Sequence, residues 1–178
     1  MKIKNKLKIK NKRKNGFTLI ELIFYIALFS VFFVSLFLVL NIFYENKNKN
    51  SVTIEVEQQG LFISQIISQG IRNAQSIISP TIGNNSSSLS LQSFDISRSP
   101  IVFYLDADTL MTSENGIVID NLNSDRVVIS NINFINNSIV DNIQGINFSF
   151  TVSYKNSSGK KQYEYNKDFF GSVNLNLK

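Results

Sequence analysis

The hydrophobic pattern near the start of the chain separates a lysine-rich leader, residues 1–16, from an almost unbroken apolar run. The run extends from Phe17 to Tyr44, a stretch of 28 residues. As an α-helix it would be ~42 Å long, whereas the hydrocarbon core of a bilayer is ~30 Å thick. We therefore predict a transmembrane helix over residues 17–44, followed by a polar exit at residues 45–50.

Helical spacing of apolar residues resumes after the polar exit. The pattern predicts that the helix continues as an exported amphipathic half over residues 45–79, closed by Pro80. A coiled coil would need a sustained heptad, which this segment lacks. The predicted stripe, expected to pack on a globular domain, contains Ile63, Ile66, Ile67, Ile71, Ala74, Ile77 and Ile78.

Short runs of β-branched and aromatic residues follow Pro80 and indicate a β-rich head over residues 80–178. The segment 143–154 alternates strictly between apolar and polar residues, which is typical of a half-buried strand. We predict an α+β fold, with an antiparallel sheet packed against the C-terminal half of the long helix. The predicted strands are 99–105, 116–120, 126–134, 143–154, a hairpin return strand over 160–165, and an alternating C-terminus at Val173, Leu175 and Leu177.

The net charge of +5 comes from the leader and not from the body of the chain. Residues 1–16 hold eight of the 18 basic residues and no acid, so the remainder has ten basic and 13 acidic residues, a net charge of −3. This balance gives no general signal for nucleic-acid binding. A contact of DNA with Lys160, Lys161, Tyr163 and Tyr165 is conceivable in a competence system, although a solvated hairpin face explains these residues equally well.

Cysteine and histidine are both absent from the sequence. The chain therefore has no thiol nucleophile, no disulfide framework and no Ser–His or Cys–His catalytic pair. We predict no enzymatic activity and no cofactor. Asp106 and Asp108 are weak calcium candidates, because calcium takes six to eight oxygen ligands and only these two acids cluster. A solvated turn is the simpler interpretation of this pair.

The junction between the leader and the apolar run has an unusual order. In a secretory signal the small-residue cleavage site follows the apolar region, whereas here Gly16 precedes it. The sequence Gly16-Phe17-Thr18-Leu19-Ile20-Glu21-Leu22, with the basic leader and the long apolar run, resembles the prepilin signal of type IV pilins and type II secretion pseudopilins. A plain single-pass anchor would explain the hydrophobicity but not this order.

The resemblance implies a processing pathway. A prepilin peptidase would cut between Gly16 and Phe17 and methylate the new N-terminus at Phe17. The chain would sit in the bacterial or archaeal cytoplasmic membrane, with its N-terminus cytoplasmic and its head exported, as the positive-inside rule also predicts. Other major and minor pilins or pseudopilins would be its partners in a pilus or pseudopilus.

Glu21 is a carboxylate at the front of the apolar run, where an unpaired charge is costly. It lies four residues after the proposed cut, ~6 Å along a helix from the Phe17 amine. The resemblance implies that Glu21 pairs with the N-terminal amine of an adjacent subunit and sets axial register in the fibre. A solvated carboxylate at the cytoplasmic interface is the alternative.

A looser likeness concerns the head. The helix sequence Arg72-Asn73-Ala74 and the segments 122–127 and 129–134 resemble the J-type minor pseudopilins and PilW-like minor pilins. The resulting hypothesis is a non-catalytic minor pilin or pseudopilin assembled through its N-terminal helix into a type IV pilus, type II secretion or competence pseudopilus. The alternative is an exported adhesin or DNA-uptake binding head on a pilin-type anchor.

Overall fold

The computed structural model describes residues 16–139, 144–156, 159 and 163–176. The chain separates into two compact units, one ending at Tyr44 and the other beginning at Glu45. The helix α1, Leu19–Arg72, contributes to both units. The second unit adds nine described strands and one short 3₁₀ helix. The predicted α+β, pilin-like class is confirmed.

The strands of the second unit form two antiparallel sheets, not the single sheet that we predicted. The five-stranded sheet has the order β1-β3-β4-β5-β6 and the four-stranded sheet has the order β2-β7-β8-β9. The strand bounds are β1 Ala74–Ser79, β2 Asn85–Ser86, β3 Leu89–Ser93, β4 Ile101–Asp106, β5 Thr109–Glu114, β6 Ile117–Asn121, β7 Val127–Asn136, β8 Gly145–Tyr154 and β9 Asn166–Asn174, with the 3₁₀ helix at Ile96–Arg98.

The part of α1 in the second unit buries one stripe of aliphatic side chains. Two glycines interrupt the stripe where aromatic rings approach the helix backbone. An added Cβ at Gly60 would overlap the ring of Phe169, and one at Gly70 would lie 2.9 Å from the ring of Phe103. Both glycines, which weaken a helix in isolation, are therefore required by packing. The buried stripe consists of Val52, Val56, Ile63, Ile67 and Ile71.

The helix ends at Arg72, so the prediction that it continues to residue 79 is wrong. The next residues form β1, which pairs antiparallel with β3. The sequence Ser76-Ile77-Ile78-Ser79 contains adjacent β-branched residues, which suit a pleated strand as well as a helix face. Ile77 donates its backbone N–H to Oε1 of Gln144, 67 residues away, at 3.3 Å. A distant partner thus contributes to an extended conformation that local spacing did not indicate.

Four predicted strands are confirmed with small shifts of their bounds, namely β4, β6, β7 and β8. The return strand predicted over 160–165 is wrong in position: β9 begins at Asn166 and pairs with β8. Residues 163–165 are not in a strand, and residues 160–162 lie outside the described part of the chain. Val173 and Leu175 are buried, as their alternation predicted, while Leu177 lies outside the described residues.

Asn123 joins the two sheets. Its side-chain Oδ1 accepts the backbone N–H of Leu110 at 2.8 Å, and its Nδ2 donates to the carbonyl of Val127 at 3.1 Å. Leu110 belongs to β5 in the five-stranded sheet and Val127 begins β7 in the four-stranded sheet. The segment 122–127, noted above for its likeness to minor pseudopilins, therefore forms a structural junction.

Candidate processing and assembly site

Thr18 caps the start of α1. Gly16, Phe17 and Thr18 precede the helix, and the Thr18 carbonyl accepts the N–H of Leu22 at 3.1 Å. Its side-chain Oγ1 accepts the backbone N–H of Glu21 at 3.4 Å. A threonine followed three residues later by glutamate is the sequence of a capping box, which satisfies otherwise orphaned helix N–H groups. The sequence analysis missed this role of Thr18, although the spacing is readable.

Gly16 and Phe17 are exposed. A Cβ added at Gly16 would meet no heavy atom within 4 Å, so packing among the described residues does not require glycine there. Phe17 is 73% exposed, and its ring contacts Tyr25 edge-on, with ring centroids 5.9 Å apart. The junction between these two residues is thus accessible from solvent.

Glu21 is exposed in the first turn of α1 and has apolar neighbours. A shallow surface groove around it is lined by Ile20, Phe24, Tyr25 and Leu28. Within the described part of the chain, its carboxylate forms no ion pair. The side chain is therefore available for an intermolecular partner.

The helix surface of the first unit is apolar and is not buried by any other described part of the chain. The most apolar 18-residue window of α1 has a mean hydropathy of 2.8, and none of that window is buried. Ser30 and Ser35 donate their hydroxyls to the carbonyls of Ala27 and Phe32, both at 2.8 Å. These bonds satisfy the two hydroxyls inside the helix. By length and composition, α1 is suited to cross a membrane.

Asp106 and Asp108 occupy the tight turn between β4 and β5. Ala107 between them has a φ of 50°, and Asp106 pairs with Thr109 in the hairpin. The Asp108 carbonyl accepts the N–H of Ile129 at 3.0 Å. In the described ranges no group of three or more acidic, Cys or His residues could hold a metal ion. The two acids thus lie in a hairpin turn.

The four residues weighed for DNA contact are only partly described. Lys160 and Lys161 lie outside the described residues. Tyr163 stacks on Tyr154, with ring centroids 6.4 Å apart, and Tyr165 packs against the core. Both tyrosines therefore have packing roles within the head.

A protein-family model described as the prokaryotic N-terminal methylation motif matches residues 11–37. The chain carries the prokaryotic N-terminal methylation motif, the signal of type IV pilins and pseudopilins. The matched segment includes Gly16, Phe17 and Glu21 and extends through most of the apolar run. None of the curated proteins or solved structures compared gives a match.

The methylation motif indicates how the protein is processed and what kind of protein it is. The motif supports the interpretation that the chain is a prepilin processed by a prepilin peptidase. The apolar helix fits a membrane-anchored protein. Proteins with this signal are generally non-catalytic structural subunits that assemble with other pilins. The fold of the second unit, an α-helix packed on antiparallel sheets, agrees with this class.

Proposed function

We propose that this protein is a non-catalytic minor pilin or pseudopilin subunit of a type IV pilus, type II secretion or competence pseudopilus. The observation that carries the proposal is the methylation motif placed at the start of an exposed apolar helix. In this proposal residues 17–44 form the membrane and assembly segment, residues 45–72 the exported continuation of its helix, and residues 73–178 the head. The leader, residues 1–16, stays cytoplasmic and is removed.

The proposed cut lies between Gly16 and Phe17, and Phe17 is the methylated residue. Two observations support this position. Gly16 precedes the capped helix start at Thr18, so the peptide bond lies in non-helical chain. Packing among the described residues does not require a glycine at position 16, so recognition by the peptidase is the reason that we propose for the glycine.

We propose that Glu21 sets the axial register between subunits of the fibre. A carboxylate on an apolar helix surface is costly in lipid unless a cation pairs with it. Cleavage creates an amine at Phe17 of each subunit, and a neighbouring subunit's amine is the complementary charge. The basic leader holds the precursor oriented until then, with up to ~1 kcal/mol per Lys or Arg near anionic lipid.

The test replaces Glu21 with alanine and follows cleavage and fibre incorporation separately. Thr18 accepts the backbone N–H of Glu21, so E21A leaves the helix cap in place. We expect normal leader removal by mass spectrometry but absence of the variant from sheared fibres or isolated complexes. Glu45→Ala, an exposed glutamate beyond the apolar run, is the matched control. Incorporation of E21A at the wild-type level would overturn the register role.

A second candidate function is an exported adhesin or DNA-uptake head, and one surface favours ligand binding. The outer face of the four-stranded sheet has an open groove of about 520 Å³. Two adjacent rows cross the sheet: Asn133, Ser149 and Phe170, then Ile135, Asn147 and Ser172. Phe170 is 77% exposed. Since no Lys or Arg among the described residues lines this groove, it favours a neutral ligand over DNA.

Retention of the detergent-solubilised full chain on an immobilised neutral polysaccharide, and separately on double-stranded DNA, tests this second candidate. An adhesin role predicts polysaccharide retention that Phe170→Ala abolishes and Ile82→Ala, at an exposed loop position, leaves intact. Retention that Phe170→Ala does not change, or no retention at all, would remove the support from this groove. Retention on DNA alone would favour an uptake head with its contact elsewhere only if the chain without its basic leader, residues 1–16, is retained as well.

A further inference from the structure

The start of α1 lies close to the proposed cut. Gly16, Phe17 and Thr18 are non-helical, and the first helical residue is Leu19. The Thr18 carbonyl accepts the N–H of Leu22 at 3.1 Å, and this bond closes the first helical turn. The Gly16–Phe17 peptide bond therefore lies just outside the helix, and a helix longer by one turn would contain it.

Inclusion of this peptide bond in the helix would oppose its hydrolysis. Helical hydrogen bonds join residues four apart, so in a longer helix the Gly16 carbonyl would accept the N–H of Ile20. A protease that holds its substrate as an extended strand needs the same main-chain groups for its own hydrogen bonds. The residue that fixes the start of α1 therefore also decides whether the carbonyl carbon of Gly16 can be attacked.

Glycine at position 16 does not by itself explain why the helix starts where it does. Glycine weakens a helix without ending it, and α1 continues through Gly60 and Gly70. The apolar run contains no proline, and Phe17 is compatible with a helix. In an apolar environment a helix is favoured, because no water is present to bond the backbone groups. The start of α1 therefore needs a separate signal.

Thr18 provides this signal through its hydroxyl. Its Oγ1 accepts the backbone N–H of Glu21 at 3.4 Å, as the side chain of an N-cap residue does. Three other hydroxyl residues of α1 behave differently, because each donates to a carbonyl three or four residues earlier: Ser30, Ser35 and Thr53. The Thr18 hydroxyl instead bonds forward into the first turn. Since an N-cap residue has non-helical backbone angles, this bond keeps the chain before it out of the helix.

We propose that Thr18 is a positioning residue for leader removal: its hydroxyl fixes the start of α1 and so keeps the Gly16–Phe17 peptide bond in the extended form that the peptidase cleaves. Thr18 acts through the backbone and does not touch the bond that is hydrolysed. This role rests on the proposed cut after Gly16. Without the cap, a share of the precursor would hold the bond within the helix, and only the remainder would be a substrate.

Three substitutions at position 18 separate capping from recognition of side-chain shape. Thr18→Val keeps the shape and has a similar helix propensity, but it removes the hydrogen-bond acceptor. Thr18→Ser keeps the hydroxyl, and Thr18→Asn changes the shape while remaining a strong cap. Each full precursor is mixed with a prepilin peptidase in detergent micelles, and release of residues 1–16 is timed by mass spectrometry. Thr53→Val, which removes a hydroxyl elsewhere on α1, is the matched control.

Thr18→Val should be cleaved about fivefold more slowly than the wild type, the factor that loss of one N-cap represents in a helix equilibrium. The other two variants and Thr53→Val should be cleaved within about twofold of the wild type, because they retain a cap at position 18. A helical conformer that is not a substrate lowers the competent fraction of the precursor, so the apparent KM should rise while kcat changes little. The carbonyl chemical shift of isotopically labelled Gly16 should move toward its helical value in Thr18→Val alone.

Equal cleavage rates for Thr18→Val and Thr18→Ser would overturn the role of Thr18. Slow cleavage of both Thr18→Ser and Thr18→Asn would also overturn it, because the peptidase would then be reading the shape of the threonine. If Thr18→Val is not recovered, Thr18→Ala, which also lacks the acceptor, takes its place. Absence of wild-type cleavage after Gly16 would instead overturn the proposed function itself, and the role of Thr18 with it.

Discussion

The ring of Phe169 lies against the backbone of Gly60, at the point where the part of α1 in the second unit crosses β9. The same ring stacks on Phe150, with centroids 5.5 Å apart. Lys167 places its ammonium 5.7 Å from the Phe169 centroid and bonds to Glu57 of the helix at 2.8 Å. Helix and sheet are thus attached at this site by close aromatic packing and by an ion pair.

Gly60→Ala should destabilise the head, although alanine is the better helix former. The added Cβ would overlap the Phe169 ring, and overpacking of this kind costs ~1–3 kcal/mol. We expect a lower thermal midpoint by circular dichroism. Gln58→Ala, on the exposed side of the helix, should change stability by less than ~0.5 kcal/mol. The double variant Gly60→Ala with Phe169→Leu should be less destabilised than additivity predicts, whereas strict additivity would contradict the packing argument.

Asn136 should be the most sensitive polar residue among those described in the head. Its buried side chain donates to the Pro80 carbonyl at 2.7 Å and accepts the N–H of Ser138 at 3.0 Å. Asn136→Leu would leave both buried partners unsatisfied, at ~1–3 kcal/mol for each. Urea unfolding should show a clear loss of stability, while the exposed neighbour Asn137→Ala should behave like the wild type. Equal midpoints for the two variants would contradict this role.

The contact between Arg98 and Glu114 should make stability depend on pH. The hydrogen bond from Arg98, with its charge, holds the pKa of Glu114 below its ordinary value of 4.5. A lowered folded-state pKa means that the stabilisation is present above the unfolded value and is lost as pH falls through the folded value. Glu114→Gln should therefore be less stable than the wild type near neutrality and converge with it in acid. Urea unfolding midpoints of the wild type and of Glu114→Gln, measured from neutral to acidic pH, check this prediction.

The matched control for that series is Glu164→Gln. Glu164 is exposed and forms no ion pair with the described residues, so its replacement should leave the pH dependence unchanged. If the stability of Glu114→Gln falls with pH as that of the wild type does, other groups dominate the pH dependence and the prediction is wrong.

Gly16→Leu should block leader removal without unfolding the head. Among the described residues, no heavy atom lies within 4 Å of a Cβ added at this position, so a larger side chain should be accommodated there at no packing cost. In cells with a prepilin peptidase, we expect the variant to retain residues 1–16 and Phe17 to remain unmethylated, as measured by intact mass. Asn15→Leu is the neighbouring control and should be processed. Cleavage of Gly16→Leu at the wild-type position would contradict the proposed recognition.

Local sequence was sufficient wherever one short-range signal dominated. The apolar run, the alternation in β8 and the order of residues around Gly16 each depend on nearest neighbours along the chain. The sequence analysis missed β5, but its signal was present. Asn115-Gly116, both with positive φ, forms the tight turn between β5 and β6, and such a dipeptide between β-type runs indicates a hairpin.

The sequence by itself determined the processing signal, the apolar helix, the excess of acid after the leader and the α+β class. Only the tertiary structure decided that the helix ends at Arg72, that the strands divide into two sheets, and that Gly60 and Gly70 serve packing. The physical reason is the range of the interactions involved. Helix and strand periodicities are local, whereas the Gln144 bond to Ile77 and the Asn123 bridge between sheets join residues that chain folding alone brings together.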